Sequence, residues 1–153
     1  MNKNMKKINI QNKWALICSH TSVDMNTNLL SIFNVIEEVT INRSNNPLPE
    51  LPKDGFVVPM QHEFVSFWSR DISESDGDLK IKAKLKLFDP KKELLQEQDL
   101  EIFFEKGKKS LRCIIKIGAI KVRASGEYTY EIDVYDENVS PIKVDTQVNI
   151  KFA

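Results

Sequence analysis

Apolar and polar residues alternate with a period of two along most of the chain. The clearest stretch is Leu79–Phe88. There Leu79, Ile81, Ala83, Leu85 and Leu87 form one face, and Lys80, Lys82, Lys84 and Lys86 form the other. Period-two alternation is the mark of a strand with one buried face. Leu100, Ile102 and Phe104 repeat it within Leu94–Glu105, as do Leu111, Cys113, Ile115 and Ile117. Tyr128, Tyr130, Ile132 and Val134 follow, and then Thr146, Val148, Ile150 and Phe152. Phe56–Trp68 carries apolar groups on both faces, which predicts a central strand, interrupted at Pro59.

The first third is less regular. Trp14–Val23 is β-prone and runs into Asp24–Asn28, a set of turn residues. Leu29–Ile41 competes as a helix. Its β-branched residues Ile32, Val35, Ile36, Val39, Thr40 and Ile41 favour one strand that completes a first hairpin. Pro47, Pro49 and Pro52 lie in a Pro-rich loop over residues 43–55, where the chain lacks ladder donors. Asp76-Gly77 and Lys106-Gly107-Lys108-Lys109 read as hairpin turns. The expectation is all-β: a single antiparallel β-sandwich of about eight strands with little or no helix. One domain over residues 13–153 follows a flexible lead-in over residues 1–12.

Composition narrows the function more than the fold. The chain has 153 residues with 22 basic and 22 acidic side chains, so no global field draws it to nucleic acid or anionic lipid. Arg43, Arg70, Arg112 and Arg123 are its only arginines, and lysine is the poorer residue for bidentate phosphate recognition. No apolar run reaches the ~20 residues of a membrane span. Without an apolar segment behind the basic start, no signal peptide is expected, and the expected compartment is the cytoplasm. Cys18 and Cys113 are then expected as reduced, buried thiols.

Several constellations have a chemical reading. Cys18 and His20 share a strand face and suggest a cysteine nucleophile with its base, although no third group orients them. Asp71, Glu74, Asp76 and Asp78 place four carboxylates in a loop that is a weak calcium candidate. The ordinary reading is a solvated turn. Lys80, Lys82, Lys84 and Lys86 repeat every ~6.8 Å and suggest a polyanion contact. The preferred reading is an exposed face opposite acids such as Glu101, Glu131 or Asp133. The scattered glycines form no phosphate loop, and no cofactor is expected. Phe67-Trp68 and Phe103-Phe104 are adjacent pairs, so one member of each can face outward and mark a partner surface.

Two stretches carry a resemblance. Trp14-Ala-Leu-Ile-Cys-Ser-His with Leu30-Ser-Ile-Phe-Asn-Val-Ile-Glu-Glu-Val resembles the opening of a group of small, uncharacterised bacterial proteins. The Arg70…Asp76-Gly77 turn and Ser125-Gly-Glu-Tyr-Thr-Tyr-Glu-Ile fit the same outline. The Gly-x-Tyr-x-Tyr piece is also similar to one common in immunoglobulin-like sandwiches. The resemblance implies an immunoglobulin-like β-sandwich and carries over no functional residue. The expected function is non-enzymatic: binding of another protein, or self-association. Nucleic-acid binding through the lysine stripe is the first alternative, and a cysteine enzyme the second.

Overall fold

Strand-forming segments separated by short turns fold into nine strands among the residues described. The computed structural model describes residues 7–42, 52–71 and 77–153. The strands are β1 (Ile10–Val23), β2 (Leu30–Val35), β3 (Glu38–Ile41), β4 (Phe56–Arg70) and β5 (Leu79–Phe88). They continue with β6 (Leu94–Phe104), β7 (Ser110–Val122), β8 (Gly126–Val134) and β9 (Ile142–Phe152). One sheet has the order β2-β1-β4-β7, and the other β3-β9-β8-β5-β6. No described segment is helical, and none is a helix long and apolar enough to cross a membrane.

The alternation has the expected cause. Ile17, Phe64 and Trp68 point from the four-stranded sheet onto Ile81, Leu85, Leu87, Tyr128, Tyr130 and Ile132 of the five-stranded one. Burial of these groups between two sheets supplies the main driving force of the fold. Trp68, fully buried, donates its indole N–H to Ser66 Oγ at 2.8 Å. No polar atom of that large side chain is therefore left unpaired.

Four expectations are revised. Leu29–Ile41 is not one strand but two, β2 and β3, in different sheets. The switch falls at Ile36-Glu37: Ile36 N–H donates to Ile17 O, and Glu37 O accepts from Asn149 N–H. Both halves share one period, so the sequence pattern does not reveal the change of sheet. Second, β3 pairs with β9 in parallel, so the sandwich is not wholly antiparallel. Third, Ile10–Asn12 already pair with Trp68–Arg70, so the strand begins before the inner end of the expected lead-in. Residues 1–6 of that lead-in lie outside the described residues. Fourth, β4 runs through Pro59, absorbing it as a register shift against β7 between Pro59 and His62.

The Pro-rich loop lies outside the described residues over 43–51. Its end is a turn in which Gly55 N–H donates to Pro52 O. Gly55 has φ 79°, and a Cβ there would sit 2.5 Å from Val122 O, so this position needs glycine.

Candidate functional site

Strand register decides which side chains face away from the core. On the four-stranded sheet, Trp14 lies opposite Phe67, Leu16 opposite Val65 and Cys18 opposite Glu63. Phe67 and Val65 lie in turn opposite Arg112 and Ile114 of β7. Opposed residues share a face. These residues alternate with inward Ile17, Phe64 and Trp68, so they form the outer face. That face is mainly apolar, and Trp14 and Phe67 stack at 5.9 Å.

An apolar outer face needs cover, and the β1–β2 hairpin supplies it. Arg112 is level with Trp14, nine residues before Val23 along β1. A straight β1 would carry the turn about 30 Å away from Arg112. Yet the Arg112 guanidinium donates to the main-chain oxygen of Asn28 and, at 3.4 Å, to its Oδ1. Thr21 Oγ1 donates to Glu63 Oε2 at 2.7 Å. The outer half of the hairpin therefore folds back across the sheet, with its turn clasped by Arg112. This explains why Val65 and Cys18 are fully buried although both face away from the core.

The fold-back has a local cause. Asn34 has φ 52°, the left-handed region that asparagine tolerates better than most residues. Ser19, across from it, accepts from Asn34 Nδ2 and donates to Phe33 O. The turn itself is tied by Asp24, whose Oδ1 accepts from the N–H groups of Asn26 and Thr27. Those bonds hold the Asp24 carboxyl below its ordinary range.

The hairpin exposes large apolar side chains. Phe33 is 42% exposed, Val35 54% and Met25 98%. His20 stacks flat on Phe33, with ring centroids 4.5 Å apart. The twelve residues Met25–Ile36 contain no charge, and β2 stands at the end of its sheet. The exposed edge of a sheet normally carries charge, proline or a bulge against unwanted pairing.

The residues singled out from sequence distribute differently. Cys18 Sγ donates to the main-chain oxygen of His20 at 3.6 Å, not to its ring. The ring's Nδ1 is 3.1 Å from Ser19 Oγ. Burial, and then Glu63, push the Cys18 thiol up, whereas an activated nucleophile needs the opposite shift. Cys113 lies opposite Ser66 on the inner face of the same sheet, so the sheet separates the two thiols, and both are free.

Lys82 lies opposite Glu101, Lys84 opposite Asp99 and Asp133, and Lys86 opposite Glu97 and Glu131. Lys84 Nζ is 3.5 Å from Glu97, and Lys86 donates to Asp133 at 3.0 Å. The bond to Asp133 raises the Lys86 pKa. Lys80 sits over the Phe103 ring at 5.6 Å. The stripe is thus flanked by carboxylates on both sides. In the acidic loop, Asp78 Oδ1 accepts Lys106 N–H at 2.6 Å and Asp71 is exposed. Glu74 and Asp76 lie outside the described residues. Arg70, beside that loop, is buried and donates to the carbonyls of Gly77, Glu105 and Lys108.

One polar pair inside the core escaped the sequence reading. His62 Nδ1 is 2.8 Å from Met60 O, and His62 Nε2 is 2.8 Å from Tyr130 Oη. A carbonyl only accepts, so Nδ1 carries the proton and Tyr130 donates to Nε2. Burial lowers the His62 pKa and raises that of Tyr130. Beside Tyr130, a cleft of about 80 Å³ opens between Ile117 and the β5–β6 pair. It is too small for a drug-sized ligand.

In comparison with known proteins, no family model matches the chain and no curated protein matches it in sequence.

Proposed function

We propose that this chain is a non-enzymatic protein-binding module, and that the β1–β2 hairpin is its contact surface. The carrying observation is the uncharged stretch Met25–Ile36, which exposes Phe33 and Val35 at a sheet end while Arg112 holds its turn. Exposed aromatic and branched side chains on a preformed scaffold supply contact area with little ordering cost.

The strand order supports an immunoglobulin-like outline. In such sandwiches strands B and E share one sheet, and C, F and G the other. The β4–β7 pair and the β5–β8–β9 group fit these positions. Tyr128, near the start of β8, accepts from the N–H groups of Arg123 and Ala124 and donates to Ala124 O. That is the bonding pattern of the tyrosine corner between strands E and F. Sandwiches of this outline serve widely as recognition modules. The free thiols Cys18 and Cys113 suit a reducing compartment such as the cytoplasm.

The test is affinity capture from native host cells, comparing the unaltered chain with a Phe33→Asp, Val35→Asp double variant. A protein captured in stoichiometric amount by the former and lost from the latter supports the reading. Equal capture by both, with the variant folded by circular dichroism, overturns it.

A further inference from the structure

Each sheet of the sandwich has two ends, and the four end strands differ in charge. β6 carries Glu97, Asp99 and Glu101 and no base. β7 carries Arg112, Lys116 and Lys121 and no acid. β3 has four residues, one of them Glu38. β2, Leu30–Val35, has no charge at all. When two copies of a chain join the same strand across a two-fold axis, a strand whose charges share one sign brings only like charges together, and like charges across a strand pair are destabilising. β6 and β7 would repel their own copies, and β3 offers little ladder. β2 alone is free of that penalty.

The pairing of β6 with β7 of another copy would be complementary in charge. That side of the sandwich is already tied within one chain, because Gln96 Oε1 of β6 accepts Lys121 N–H of β7 at 2.9 Å. On the β2 side the chain itself crosses between the sheets at Ile36-Glu37, and β2 still ends its sheet.

We infer that the occupant of the β2 edge is a second copy of this chain, joined by antiparallel β2–β2 pairing of the two hairpins. The inference rests on the hairpin being the contact surface and adds the identity of the partner. A two-fold axis normal to the hairpin keeps its exposed face on one side, so residues of the same parity meet. Centred on Ile32 or Phe33, the axis sets the two Phe33 side chains opposite or diagonal to each other, within reach across the pair. The exposed Phe33 and Val35 of both copies then join in one apolar strip. A ladder of about six residues is small, so the dimer is expected to be weak, with a Kd between about 10 µM and about 1 mM.

The experiment is sedimentation of the purified full chain across that concentration range, together with two single variants, Phe33→Lys and Phe33→Glu. The unaltered chain is expected to shift from monomer to dimer. Each variant alone is expected to stay monomeric, since like charges meet at the axis. An equimolar mixture of the two is expected to recover the dimer, which a merely misfolded variant cannot do. A chain that stays monomeric throughout overturns the inference, as does a dimer that both variants preserve or a mixture that stays monomeric. If the chain is monomeric yet its capture of a different protein depends on Phe33, the dimer fails while the hairpin remains a contact surface. If capture fails as well, both fall.

Discussion

His62 shows how a buried polar residue is accommodated. Its ring is held between the Met60 carbonyl and the Tyr130 hydroxyl, and burial lowers its pKa from the ordinary 6.5. Below that value the unfolded chain takes up a proton that the folded chain resists. Stability contributed by neutral His62 is therefore present above pH 6.5 and lost as the pH falls toward the folded pKa. The urea midpoint of the unaltered chain is expected to fall between pH 7.5 and pH 5, and a His62→Gln variant is expected to show a shallower fall. Identical slopes would mean that His62 does not titrate in this way. None of this was legible in the sequence, where His62 stood in an apolar stretch without a marked partner. Tyr130 is 68 residues away, and only the face-to-face packing of the sheets joins them.

Among the elements, the regular strands and the turn of the first hairpin were legible, and the fold-back of that hairpin was not. Leu79–Phe88 was read with its observed bounds because one face is core and the other is lysine. That one member of the Phe67-Trp68 pair can face outward was also read, without saying which: Trp68 is buried, and Phe67 joins Trp14 outside. The fold-back of β1–β2 depends on Asn34 at positive φ and on the reach of Arg112 to Asn28, 84 residues away. Neither leaves a periodic trace. One signal was available: twelve uncharged residues beside a turn, in a chain 29% charged. The clasp makes a prediction. In a Cys113→Ser background, Arg112→Leu is expected to free the hairpin and expose Cys18. Thiol labelling of the folded protein should then speed up by about tenfold or more, as local opening becomes easier. An unchanged rate would show that Arg112 does not hold the hairpin down.

On the scale of the whole molecule, charge and apolar surface are sorted onto different faces. The outer face of the five-stranded sheet sets Lys82, Lys84 and Lys86 among Glu97, Asp99, Glu101, Glu131 and Asp133. With that mixture it resembles an ordinary solvated sheet surface. The four-stranded sheet turns its apolar outer face and its hairpin to the other side. The lysine stripe, prominent in the sequence, lies between two strands that set carboxylates beside it. The strand pairing that brings β6 and β8 beside β5 cannot be read from β5 alone. The proposed contact surface is the hairpin face and not the lysine face. The most direct measurement is photo-crosslinking in native host cells, with a photoreactive residue at Phe33 in one variant and at Lys84 in another. Discrete protein adducts at Phe33, including any to a second copy, with none at Lys84, are the predicted result. Adducts confined to Lys84, with protein or nucleic acid, would contradict the account.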